Sequence, residues 1–119
     1  MVVFERIRHC RVPTYLPISV QLGNEEVRKR IMIDISLSGA CLYCRETPVL
    51  NTPVIMYLPI SKNRTEQMNG VVKWVHKTND DKKKRLGDGY IVGVCFEKVK
   101  ESIFRMVRRH LTPTRRISV

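Results

Sequence analysis

Apolar and polar residues alternate in short runs along most of the chain, the period-two signature of strands with one buried face. Leu16, Ile18, Val20 and Leu22 hold one phase against Pro17, Ser19 and Gln21, and Gly23-Asn24 supplies the turn after them. Val27, Lys29, Ile31 and Ile33 alternate again, so residues 26–34 read as a second strand, closed by Asp34. Asp34-Ile35-Ser36-Leu37-Ser38-Gly39 is a turn of residues that hydrogen-bond backbone, with a glycine at its end. Ala40–Cys44 resumes as a third strand. Pro48, Asn51-Thr52-Pro53 and Pro59 punctuate a loop and a strand around Val54–Leu58, and Gln67–Lys77 is a long strand carrying Trp74. The charged run Asn79–Arg85 reads as a solvated hairpin tip between this strand and the last one, Gly89–Phe96.

After Glu97 the period changes. Val99, Ile103, Phe104, Val107 and Leu111 recur at helical spacing, and Pro113 is expected to end the segment. Six short antiparallel strands and one closing helix predict a mainly β domain, a small six-stranded barrel with a C-terminal α-helix packed against it. The expected organisation is an Arg-rich flexible leader over 1–14, the barrel and helix over 15–112, and a basic tail over 113–119.

Length and composition narrow the picture. A chain of 119 residues with 43 % apolar content holds one core and is not a disordered polymer. No apolar run approaches a membrane span and no secretory h-region is present, so a cytoplasmic protein is expected. The four cysteines fit a reducing compartment. Cys41 and Cys44 have metal-ligand spacing, but a strand sends them to opposite faces and no second pair completes a zinc set. No metal or cofactor is expected. His9, His76 and His110 are scattered, with no Ser or Cys placed beside them for a triad, so an enzyme is not expected. Twenty-two Lys and Arg against eleven Asp and Glu leave a net charge of +11, which calls for an anionic partner.

The order of the motifs is distinctive. An Arg-rich leader, Glu5-Arg6-Ile7-Arg8-His9-Cys10-Arg11, comes first. Asp34-x-Ser36-x-x-Gly39, Gly70-Val-Val-Lys-Trp74 and Gly93-Val-Cys-Phe96 follow, and the whole resembles the PilZ family along nearly its full length. The family signature is RxxxR in the leader and [D/N]xSxxG after the second strand. The second half matches residue for residue. The first departs, because counting four back from Arg11 reaches Ile7, while Arg8 stands at spacing three and Arg6 at spacing five.

The resemblance implies a receptor for cyclic di-GMP with Arg6, Arg8, Arg11, Asp34, Ser36, Gly39 and Trp74 as ligand-binding residues. The chemistry suits them. Guanidinium forks pair with phosphate oxygens or the guanine O6/N7 edge, and a carboxylate accepts from guanine N–H groups. A hydroxyl adapts as donor or acceptor, and glycine admits a close backbone. The implied output is a leader that is mobile when free and folds over the barrel on binding, changing the surface offered to a separate protein effector. Two other readings keep the same residues. A ligand-free PilZ-like interaction module is favoured by Ile7, and a nucleic-acid binder by the charge and the basic end Arg105, Arg108, Arg109, Arg115 and Arg116. An aromatic content of 7 % argues against nucleic acid, which needs stacking platforms among its cations.

Overall fold

A computed structural model describes residues 11–118, with side chains through Arg109. The strands are β1 Val12–Leu22, β2 Arg28–Ile35, β3 Gly39–Cys44, β4 Pro53–Ser61, β5 Arg64–Lys77 and β6 Tyr90–Phe96. Helix α1, Asp80–Leu86, stands between β5 and β6, and α2, Glu101–Ser118, follows β6. All pairings are antiparallel, and the order β1-β2-β3-β6-β5-β4 closes on itself through β1 and β4. Closure removes the unpaired edges that an open sheet would present. The mainly β barrel with a C-terminal helix is therefore as the alternation predicts.

Inward residues fill the barrel as the period requires: Ile18 and Val20 from β1, Met32 from β2, Leu42 from β3, Met56 and Leu58 from β4, Val72 from β5 and Val92 from β6 are all nearly inaccessible. Helix α2 sets Ile103, Met106 and Val107 into the same core, with Phe104 packed beside them. Its first turn is tied down by Glu66, which accepts from Lys100 Nζ at 3.1 Å and from Ser102 Oγ at 2.9 Å. Those two donors hold the Glu66 carboxyl below its ordinary range. Among the described residues no helix is long and apolar enough to cross a membrane.

Four sequence expectations are corrected. The Asn79–Arg85 run is not a hairpin tip but the helix α1, and its charges are ordered for that role. Asn79 Oδ1 accepts from the Lys82 N–H at 2.9 Å, Asp80 and Asp81 occupy the first turn, and Lys83, Lys84 and Arg85 the last. The Asn cap and the charge order both complement the helix dipole. Second, β1 begins at Val12 rather than beyond residue 14. Val12 is buried and pairs with Ile35, and a bulge between Pro13 and Leu16 interrupts the alternation that would have extended the strand on paper. Third, the expected phase of β2 holds only at its end: Arg30 and Met32 are buried while Val27 and Lys29 are exposed, and the irregular register between Met32 and Asp34 leaves Ile33 buried as well. Arg30 can occupy an inward position because Glu46 accepts from its Nη2 at 3.0 Å at the barrel mouth. Fourth, α2 runs through Pro113 to Ser118. A proline supplies a helix-compatible φ and removes one amide donor, so it marks a frequent stop but not an obligatory one. Val99, expected on the apolar face, precedes the helix and is half exposed.

Candidate ligand-binding face

The outer surface of β2, β3, β5 and β6 brings the motif residues together. Arg11, immediately before β1, donates from Nη1 to Asp34 Oδ1 at 3.0 Å, and the same nitrogen lies 3.5 Å from Cys41 Sγ. Thus the leader's last arginine and the first residue of the turn motif are already joined across 23 positions of sequence. The ion pair is open to solvent on the arginine side, where 47 % of the side chain is exposed against 21 % for Asp34. Such a pair can exchange partners at little cost.

The turn is braced from within. The Ser36 N–H donates to the Gly39 carbonyl at 2.8 Å, and Ser36 Oγ donates to the same oxygen at 3.3 Å. Ser36 is buried, so its hydroxyl is spent holding the turn, while Ser38 is exposed. Gly39 packs β3 so tightly on β6 that a Cβ there would overlap the Val94 carbonyl oxygen.

A cavity of about 150 Å³ opens beside this turn, lined by Arg11, Ser38, Gly39, Lys73, Trp74, Gly93, Val94 and Cys95. Trp74 pairs with Gly93 across the β5–β6 ladder, and a Cβ at Gly93 would fall inside the indole ring. The glycine is the seat on which the indole rests. Trp74 is half-buried rather than core, and its ring lies 5.0 Å from that of His76 at 38°. Lys73 reaches the same cavity because β5 bulges between Val72 and Trp74, which puts two successive side chains on the outer face.

Of the residues singled out from sequence, Arg11, Gly39 and Trp74 line the cavity. Asp34 is bound to Arg11 at its rim, and Ser36 stands behind the turn. Arg6 and Arg8, and the expected mobility of the leader, lie outside the described residues. Sequence reasoning missed Ser38, Lys73 and the neighbourhood of Tyr15. Tyr15 adopts a positive φ of 46° within the β1 bulge, a strained setting for a bulky residue. It is held there by α1: Arg85 stacks its guanidinium 3.7 Å from the ring centroid, and Lys82 Nζ donates to the hydroxyl at 2.8 Å. The order of cap, acids and bases in 79–85 was the available signal.

Cys41 and Cys44 do face opposite sides. Cys44 belongs to the core cluster, while Cys41 meets Arg11. Burial first, and then the Asp34 carboxylate, push the Cys41 thiol from 9.0 up to about 12; burial pushes Cys44 up to about 11. Both folded values exceed the ordinary one. Their contribution to stability is therefore complete below about pH 9 and lost as pH rises through the folded values, since only the unfolded thiols ionise first. Thermal melts between pH 8 and 11 should fall, and the fall should be shallower in Cys41→Ala/Cys44→Ala. An equal slope in the double variant would assign the effect to other groups.

The profile described as PilZ domain matches residues 5–112. The chain belongs to the PilZ domain family. Two solved structures share the fold. The Bacillus subtilis inhibitor of motility MotI/DgrA has a TM-score of 0.58 at 18 % identity over 90 % of this chain. K. pneumoniae MrkH in its apo state has a TM-score of 0.63 at 18 % identity, also over 90 % of this chain. This chain spans about half of each, 51 % and 52 % respectively. No curated protein matches it.

Proposed function

We propose that this domain binds cyclic di-GMP on the outer face built by Arg11, the Asp34–Gly39 turn and Trp74. In this reading binding closes the leader over the barrel and alters the surface shown to a separate protein effector. The observation that supports it is the Arg11–Asp34 ion pair at 3.0 Å on the rim of a cavity that also holds Lys73 and Trp74. Two cations suit the phosphates and guanine edges, a carboxylate accepts guanine N–H donors, and an indole face carries a base. Arg11 swings from Asp34 to the nucleotide, and the released carboxylate takes the guanine. Ser36 acts through the turn rather than on the ligand. The cavity alone is smaller than the 300–1,000 Å³ usual for ligand sites, and in this reading Arg6 and Arg8 add contacts to the ligand on binding.

Calorimetric titration with cyclic di-GMP and GMP tests the reading. The cyclic dinucleotide should bind, more weakly as salt rises, and GMP should not compete at similar concentration. Hydrogen exchange on the same complex should show protection gathered in residues 1–10, with the strands nearly unchanged. Equal competition by GMP would remove specific recognition. Unchanged leader exchange at saturation would remove the closing leader and leave binding intact.

A further inference from the structure

A second cavity, of about 280 Å³, is larger than the one beside the turn motif. It lies at the other end of β2 and β3. Pro17 pairs with Ile31 and Ile31 with Tyr43, so these three side chains form one cross-strand row on the outer surface. All three border the cavity and give it an apolar floor. The Tyr43 ring is fixed by its hydroxyl, which donates to the Asp88 carbonyl at 2.7 Å.

Arg28, Lys29 and Arg45 form the rim, all exposed, and none of them makes an ion pair or side-chain hydrogen bond among the described residues. Glu46, the one carboxylate that lines the groove, accepts from the buried Arg30 at 3.0 Å, and Glu25 lies 3.9 Å from the same Arg30 nitrogen. The groove is therefore an apolar strip bounded by three cations with no ion-pair partner of their own among the described residues, and its lining keeps a positive excess after Glu25 and Glu46 are set against Arg30. Because the barrel is closed, no strand edge is free for β-addition, and recognition on this face must pass through side chains.

We propose that this groove docks an acidic segment of a partner protein, with an aliphatic side chain on the Pro17–Ile31–Tyr43 floor and flanking carboxylates on Arg28, Lys29 and Arg45. Charge excludes the nearer occupants. The chain's own leader carries Arg6, Arg8 and Arg11 against Glu5, and a second copy brings a net +11, so both are repelled. A nucleic acid finds a single aromatic here, tethered at its hydroxyl, which is no platform for successive bases. The site is independent of the nucleotide reading. Gly39 and Arg45 are separated by about 20 Å along β3, more than two Debye lengths at physiological salt.

The probe is a fluorescent peptide, Glu-Asp-Leu-Glu-Asp, titrated by anisotropy at physiological salt against the wild type and two charge-matched variants. It should bind the wild type. Lys29→Glu/Arg45→Glu should lose at least about tenfold. Lys98→Glu/Arg105→Glu, which makes the same change of net charge away from the groove, should stay within about twofold. Replacing the leucine by glycine should weaken binding several-fold, because the floor loses its occupant. Equal losses in the two variants, no binding to the wild type, or equally strong competition by a single-stranded DNA of matched charge would each overturn the proposal. The melting temperature of Lys29→Glu/Arg45→Glu should match the wild type, which shows that the variant is folded, and its cyclic di-GMP titration should match as well, which keeps the two sites separate.

Discussion

Arg11→Ala should cost cyclic di-GMP affinity roughly 5- to 150-fold while shifting the melting temperature very little. A bidentate arginine contact to guanine contributes ~1–3 kcal/mol to recognition. Its ion pair with Asp34 contributes far less to folding, because nearly half of the arginine side chain is in water and exposed pairs contribute about 0–1 kcal/mol. The two readouts therefore separate a ligand-binding role from a structural one. Arg11→Lys should recover only part of the affinity, since it keeps the charge and loses the planar fork. Calorimetry and melts on the same samples decide it. Affinity equal to the parent would mean that Arg11 merely neutralises Asp34, and a large fall in melting temperature would mean that the pair is a structural tie.

The barrel was legible because most strands bury one face and expose the other. The period-two signal in Leu16–Leu22, Val54–Leu58 and Gly89–Phe96 survives into the structure as inward and outward faces. It failed where the ladder is irregular. In β2 two phases compete, and the sequence favours neither: Val27, Lys29, Ile31 and Ile33 look like one series, yet Met32 and the buried Arg30 face inward. A charged residue at an inward position is invisible to hydrophobic patterning until its partner Glu46, 16 residues on, is known. The bulge at Lys73 has the same effect on the site. Strict alternation sends Lys73 and Trp74 to opposite faces, and only the irregular register puts both on the cavity.

The turn motif was legible as chemistry and partly misread as geometry. Asp34 and Gly39 stand where a ligand-facing turn needs them, but Ser36 turns inward and braces the Gly39 carbonyl, leaving the exposed hydroxyl to Ser38. Spacing reports which residues share a turn and not which side each takes. The helix α1 was missed because a run of seven polar residues has no apolar face to give a period. Its evidence lay in capping and charge order alone. Through Tyr15 that helix reaches the start of β1, four residues from Arg11, so an element dismissed as solvated surface proves to hold the root of the leader.

Trp74 and Gly93 make the sharpest test of the ligand face, because one residue exists to seat the other. Gly93→Ala puts a methyl group where the indole now lies. The ring must lift or the β5–β6 ladder must part, and overpacking of this kind costs about 1–3 kcal/mol. Displacing the ring also removes the surface on which a base would stack, so affinity for cyclic di-GMP should fall by roughly the 1–3 kcal/mol that base–aromatic stacking contributes. Trp74→Ala should lose the same affinity without the overpacking. In the double variant the clash has no second partner, so the destabilisation caused by Gly93→Ala should largely disappear, while affinity should be no lower than in Trp74→Ala alone. Such non-additivity is expected only of residues that act through direct contact. Independent, additive losses in stability would mean that Gly93 is needed for the ladder itself. Full affinity in Trp74→Ala would remove the indole from the binding face and leave recognition to Arg11, Asp34 and Lys73.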